Sequence, residues 1–308
     1  MKRRQFLSLT AGLAIMPKFA FAQDGSMVGY YDFALGDVQM TVISGGYMNL
    51  PANMLGNNAD PADVKAMLES AGLDTQTNKA ALNHIVIRKD NAIILVDAGG
   101  GDRWMADTAG QTLANLEAAG IDANTITHVA LTHAHPDHIW GVRDDFDEPF
   151  LPDAAYLMGG VEMDYWLQDG LVEQVEATEQ QFVLGAVNSI ETIADITERV
   201  ANDHEIVAGV RMIDTPGHTL GHMSLIVDTD AGSLLITADA MTHAVMNFAH
   251  PQWTQTADID GELTVATRKR LLDMAVADKM MLLGYHFPFP GLGHVEKSGD
   301  AYAFKPIT

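Results

Sequence analysis

Three histidines and an aspartate, His133, His135, Asp137 and His138, fall in the segment His133-Ala134-His135-Pro136-Asp137-His138. Imidazole nitrogens and a carboxylate oxygen are the donors that a borderline divalent cation such as zinc accepts. Four of them on one turn exceed what a single ion uses comfortably, so the cluster points to two metal ions. The segment before it, Thr127 to Thr132, places Val129 and Leu131 on one face and predicts a short strand. Pro136 then breaks the chain, and the four side chains fan out from a turn at a strand end.

Three more candidate ligands share that local setting. His218 follows the apolar run Ile206 to Ile213, in the turn Thr215-Pro216-Gly217-His218. Asp239 follows the strand-like Ser233 to Thr237, and His286 follows Met280 to Tyr285. Ligands at the ends of separate strands converge only if those strands finish at one edge of a sheet. His133, His135 and His218 could then hold one ion, Asp137, His138 and His286 the other, and Asp239 could bridge both. Each ion would keep an open position for water, the mark of a catalytic site. Asp97, after the apolar strand ending at Val96, is expected to orient a ligand by hydrogen bonding. His222, His243, His250 and His294 lack such a setting, and packing or solvent exposure is their default.

With these residues in view, the chain resembles the metallo-β-lactamase superfamily over nearly all of its length beyond residue 22. The 47-residue interval from Asp239 to His286 resembles that of its dinuclear hydrolases, as does the shorter one from His218 to Asp239. Phe33-Ala34-Leu35-Gly36-Asp37, Asp164-Tyr165-Trp166-Leu167 and Phe289-Pro290-Gly291-Leu292-Gly293-His294 are most similar to the methyl parathion hydrolase-like branch. The resemblance implies an αββα sandwich with the metals at one edge, and a homodimer. It also implies a substrate pocket walled by aromatics in matching regions, here Trp104, Trp166 and Phe182, with weaker support for Phe248 and His250 at its mouth. Such a pocket suits neutral substrates with an aryl group.

The 308 residues suffice for one large domain or two small ones, and ligands running from His133 to His286 tie most of the chain into one. Residues 23–308 are read as that single domain. Residues 1–22 stand apart. Arg3-Arg4 precedes an apolar stretch too short to span a membrane, and Ala20-Phe21-Ala22 offers a cleavage position. This reads as a twin-arginine signal peptide and predicts a periplasmic protein. The net charge is −23, and losing that leader would remove only basic residues. Such a surface repels phosphate backbones and anionic headgroups, which argues against nucleic-acid and membrane partners. With no cysteine, disulfides and thiolate ligands are excluded.

Strands are predicted at Val38–Val42, His84–Arg88 and Ala92–Val96. A helix is expected from Met105 to Ala119, a mostly helical insertion from Gly160 to Thr192, and a long helix from Glu262 to Ala277. The chemistry these elements would serve is hydrolysis by a hydroxide held between two ions, with Asp137 and Asp239 as the catalytic carboxylates that retain them. Zinc is the expected metal, with manganese, cobalt or iron also admitted by the donor set. Lactones or aryl esters are the expected substrates, and a phosphotriester is the alternative. An acyl-homoserine lactone is less favoured, because those lactonases usually carry a tyrosine where Thr242 stands. A binding protein without catalysis would have lost ligands, and all seven are present. Glutathione thioesters would ask for basic residues that this acidic chain does not advertise.

Overall fold

The computed structural model describes residues 29–307. The proposed leader at 1–22 lies outside the described residues. The rest forms two seven-stranded sheets that follow one another in sequence. The first contains β1 (Tyr30–Leu35), β2 (Val38–Pro51), β3 (Thr77–Lys89), β4 (Ala92–Val96), β5 (His128–Leu131), β6 (Ala155–Gly159) and β7 (Thr197–Val200), in spatial order β1 to β7. The second contains β8 (His204–Val207), β9 (Val210–Asp214), β10 (Met223–Thr229), β11 (Gly232–Ile236), β12 (Met281–Leu283), β13 (Leu292–Ser298) and β14 (Ala301–Pro306), likewise in sequence order across the sheet.

Continuous apolar runs such as Ile93-Ile94-Leu95-Val96 arise because both faces of these strands are covered. Ile94 and Val96 turn inward to meet Val210, Met212, Leu225 and Val227 of the second sheet. Leu95 turns outward to Leu116, Trp140 and Ile190. On the other side, Leu235 and Leu282 pack beneath Leu271, Leu272 and Ala275 of the helix Gly261–Ala277. The layers therefore run helix, sheet, sheet, helix, the αββα sandwich expected from the sequence.

Ligand-bearing loops leave the same ends of neighbouring strands. β4, β5 and β6 are mutually parallel, and β11 is parallel to β12. β9 is antiparallel to β10, and β10 to β11, so β9 also runs with β11. His133 follows β5, His218 follows β9, Asp239 follows β11 and His286 follows β12.

Several elements differ from expectation for physical reasons. The helix expected over 105–119 is two pieces, Ala106–Ala109 and Thr112–Ala118. Gly110 separates them, and the Gln111 amide donates to Gly45 O of β2 instead of continuing the helix. The run Ile206–Ile213 is a hairpin, β8 to β9, with Gly209 in the turn at φ +78°. The insertion is helical at Gly160–Trp166, Leu171–Gln174 and Gln180–Ile193. The helix Pro61–Ser70 was not anticipated, although Asp60 caps it by accepting from Ala62 N and proline occupies its first turn. Its Val64, Met67 and Leu68 brace Leu55 and Trp253 beside the site.

β2 is far longer than Val38–Val42 because a bulge between Ser44 and Gly46 bends it without ending its pairing with β3. Gly46 has φ +102°, and a Cβ there would lie 1.9 Å from Thr108 O. Gly46→Ala should cost roughly 3 kcal/mol, lowering Tm by about 6–12 °C. Gly72→Ala, at φ +68° with nothing near its Cβ, should cost about 1–2 kcal/mol. Calorimetry of the pair checks this, and equal melting temperatures would show that the bulge does not need the glycine.

Candidate metal centre

His133 and His135 lie in the loop after β5, while Asp137 and His138 begin the short helix Pro136–Ile139, where Pro136 supplies a ready first turn. The seven predicted ligands come together in two groups. Donor atoms of His133, His135, His218 and Asp239 lie within 4.8 Å of one another, as do those of Asp137, His138 and His286. Asp239 touches both groups. Its Oδ2 is 3.2 Å from His218 Nε2 and 3.1 Å from His286 Nε2, and its Oδ1 is 3.4 Å from His138 Nε2.

This donor set fits two cations. His133 Nε2 and His218 Nε2 stand 3.1 and 2.9 Å from His135 Nδ1. Adjacent donors around a tetrahedral zinc with bonds of about 2.0–2.1 Å are separated by roughly 3.3 Å. Asp137 Oδ2, His138 Nε2 and Asp239 Oδ1 are buried with no hydrogen-bond partner, a rare condition for polar atoms unless an ion takes the lone pair.

The remaining ring nitrogens of His138, His218 and His286 are held by protein groups, which fixes their tautomers. His138 Nδ1 donates to Asp97 Oδ2 at 2.8 Å, His218 Nδ1 to Asp258 Oδ1 at 2.9 Å, and His286 Nδ1 to Ala81 O at 2.9 Å. Asp97 also accepts from the Thr132 amide and hydroxyl at 2.8 and 2.9 Å, and the Thr132 oxygen lies 3.0 Å from His133 Nδ1. Asp97 sits at φ +60° and Ala238, next to Asp239, at φ +43°. Left-handed backbone at two ligand-strand ends is strain stored at the site.

Charge follows the same arrangement. Burial, reinforced by the His138 imidazole, pushes His133 well below its ordinary pKa, and burial with His218 does so for His135. Both are neutral, as ligation requires. Burial also opposes charge on His218, but Asp239 and Asp258 outweigh it and raise His218 to about 9. His138 and His286 are raised too, the carboxylates prevailing over burial. Burial works against ionised Asp239, yet the charges of His286 and His138 hold it well below the carboxylate range. Protons thus occupy the metal-free centre and must leave as cations bind.

Sequence reasoning missed several supporting groups. His222, assigned to packing by default, accepts the Asp239 amide on Nε2 at 3.1 Å while its Nδ1 faces Thr215 O at 3.1 Å. Burial pulls it down to about 3, so it stays neutral. Tyr285 donates to Asp137 O at 2.6 Å and faces His84 Nε2 at 3.2 Å. Glu162 accepts the Ala134 amide at 3.0 Å. Nothing local in the sequence marks Glu162 or Asp258 among so many acidic residues.

The pocket aromatics are placed differently from expectation. A cavity of about 80 Å³ opens on the cluster, and its apolar wall is Met48, Leu50, Met54 and Leu55, with Thr242 and Gln255 as polar members. Trp104 stands behind that wall, its Nε1 3.2 Å from Met48 Sδ and its ring edge-on to Phe182. Trp166 donates to Glu162 Oε1 at 2.7 Å and backs His135 at 5.9 Å between rings. Phe248 is core, 1 % exposed, and His250 stacks on Trp253 at 3.8 Å. Trp166 and Phe248 are buried and Trp104, Phe182 and His250 partly so, while the long β2 delivers methionine and leucine to the cavity.

The sequence model of the metallo-beta-lactamase superfamily matches residues 82–286. The chain belongs to that superfamily. Among curated relatives of this superfamily member, an N-acyl homoserine lactonase of Bacillus sp. is 24% identical over 172 residues, 56% of this chain and 60% of the relative. A hydroxyacylglutathione hydrolase of Bradyrhizobium sp. (strain ORS 278) is 29% identical over 128 residues, 41% of this chain and 37% of the relative. The chain thus spans about 60% of the length of the curated lactonase. Among solved structures, the dizinc quorum-quenching lactonase AidC superposes with a TM-score of 0.86 at 24% identity, covering 91% of this chain and 98% of that one. The hydrolase AbOPH gives 0.83 at 25% identity, covering 92% and 99%. The methyl parathion hydrolase-like branch rests on the sequence resemblance alone.

Two substitutions test the centre. Asp239→Ala should leave fewer than two ions per chain after dialysis, read by elemental analysis. Two tightly held ions in that variant would refute the shared carboxylate. Asp97→Asn should weaken ion binding by about 10–100-fold, read by competition with a chromophoric chelator, while leaving the stoichiometry intact.

Proposed function

We propose that this superfamily member is a dinuclear metal-dependent hydrolase of neutral lactones. The observation that carries the reading is Asp239 shared between two ligand groups at the floor of a cavity walled by Met48, Leu50, Met54 and Leu55. His133, His135 and His218 would hold one ion, Asp137, His138 and His286 the other, and Asp239 both. Two divalent cations there supply a water acidic enough to ionise near neutral pH and an electrophile that polarises an ester carbonyl. Zinc is the proposed metal, in keeping with the dizinc neighbour.

The protein's own contribution is placement. Asp97, Asp258 and Ala81 O hold His138, His218 and His286 with their ligating nitrogens toward the centre. Tyr285 fixes the Asp137 backbone, and His222 fixes that of Asp239. The methionine and leucine wall excludes water from one side and seats an apolar substituent. Thr242 donates to Gln255 Oε1 at 2.9 Å, and Gln255 Nε2 lies 3.4 Å from His218 Nδ1, so the pair braces the polar side of the cavity.

Lactones are favoured by the lactonase relatives, which weigh against the doubt raised by Thr242. Among the described residues no lysine or arginine lines the cavity, which disfavours an anionic glutathione thioester. A phosphotriester must bring three substituents on a tetrahedral centre past the Met48, Leu50, Met54 and Leu55 wall, whereas a lactone presents a planar carbonyl. We also propose export by the twin-arginine route, supported by Arg3-Arg4 and the short apolar stretch after them.

The test compares kcat/KM of the zinc-loaded protein on N-hexanoyl homoserine lactone, dihydrocoumarin, phenyl acetate and methyl-paraoxon. The expected outcome is a lead of about 100-fold or more for a lactone, equivalent to about 2.7 kcal/mol of transition-state stabilisation. A lead for methyl-paraoxon would replace the lactone reading with phosphotriester hydrolysis. Turnover of none of them by protein with two bound ions would sink the substrate class.

A further inference from the structure

Glu162 stands outside the ligand set, on the helix Gly160–Trp166 within the region inserted between ligand strands. Its side chain is fully buried, and the four groups that donate to it are all neutral. Oε1 accepts from Ala134 N at 3.0 Å and from Trp166 Nε1 at 2.7 Å. Oε2 accepts from Thr219 Oγ1 at 2.6 Å and from Gly221 N at 3.0 Å. Ala134 separates His133 from His135, and Thr219 follows His218. One carboxylate therefore joins the two loops that carry all three imidazoles of the first ligand group.

The contact is close and leaves little play. A Cβ on Gly221 would lie 2.0 Å from Glu162 N, so the loop rests directly on the helix backbone. The chemistry also asks for a carboxylate. Two oxygens accept four hydrogen bonds, whereas an amide offers one acceptor oxygen and turns N–H groups toward two of the donors. The second ligand group has different supports, in Asp97 on His138, Ala81 O on His286 and Tyr285 on the Asp137 backbone. None of these runs through Glu162.

Resting on the two-ion reading above, we propose that Glu162 is a positioning residue for the His133–His135–His218 ion. It sets the spacing of those imidazoles before a cation arrives, and so governs affinity at that position and not at the other. Loss of the carboxylate also strands the buried amides of Ala134 and Gly221, which costs stability in any case. Selectivity between the two ions, not stability, is therefore the informative readout.

The experiment titrates the metal-free chain with Co²⁺, following its visible absorption, and with Zn²⁺ against a chromophoric chelator. Wild type and Glu162→Gln are compared, and anomalous scattering from cobalt-loaded crystals identifies the position that empties. Glu162→Gln should lose at least about tenfold in affinity at the three-histidine position, at the low end of known effects of supporting groups. The Asp137–His138–His286 position should bind as in wild type. Glu162→Asp, which keeps the charge but shortens the reach, carries the same expectation and serves if the glutamine variant does not fold. Equal weakening of both ions, or two unchanged affinities, would overturn the proposal. A wild-type chain that takes up fewer than two ions would instead overturn the two-ion reading beneath it.

Discussion

Donor atoms that point lone pairs at one another from about 3 Å are unstable company unless positive charge lies between them. His133, His135, His218 and Asp239 are in that situation, as are Asp137, His138 and His286, and Asp239 also lies 3.1 Å from His286 and 3.4 Å from His138. His138, His218 and His286 are pinned from behind by Asp97, Asp258 and Ala81 O, so these rings cannot swing apart to relieve the repulsion. Protons on His138, His218 and His286 answer the problem in the metal-free chain. Divalent cations answer it better, because one ion satisfies several lone pairs where a proton satisfies one or two.

The sandwich exists in a form that can impose this crowding. A loop alone could not hold seven donors together against repulsion. Strands paired on both sides and packed on both faces can, because their ends move only if the core moves. β5 sits between β4 and β6, and β11 between β10 and β12, so the loops carrying His133 and Asp239 start from fully supported strands. The left-handed backbone at Asp97 and Ala238 is tolerated for the same reason.

This division explains what the sequence revealed. The clustering of the seven donors was legible because their chemistry is compressed: four donors beside one proline, and three more after apolar runs. The strand Ala92–Val96 and the helix near Glu262–Ala277 were legible from apolar pattern. The supporting groups were not, since each takes its meaning from a distant contact. Asp258 is 40 residues from His218, and Glu162 is 57 from Thr219. The cavity wall was hidden for another reason. Met48 and Leu50 lie beyond a bulge at Gly46 that a strict alternation of apolar and polar residues cannot cross, so β2 looked finished before it reached the site. The aromatics Trp104, Trp166 and Phe182 came instead from the family resemblance, and of these Trp104 lies behind Met48.

Charge balance gives the buried carboxylates a common purpose. Asp137 and Asp239 face the centre directly, while Asp97 and Asp258 each reach it through one imidazole, and Glu162 supports two loops from below. All five side chains are at most 8 % exposed. Five negative charges in so small a volume would be intolerable without compensation. Two divalent cations bring four positive charges, which nearly balances the set once bound. The excess acidity of the surface is a separate matter, since solvent and salt screen it. Inside, Asp97 and Asp258 face the imidazoles of His138 and His218, while Glu162, whose pKa burial raises, is satisfied by four neutral donors. The fold thus places three carboxylates, Asp97, Asp258 and Glu162, behind the candidate ligands, where they hold imidazoles and loops from outside the donor set.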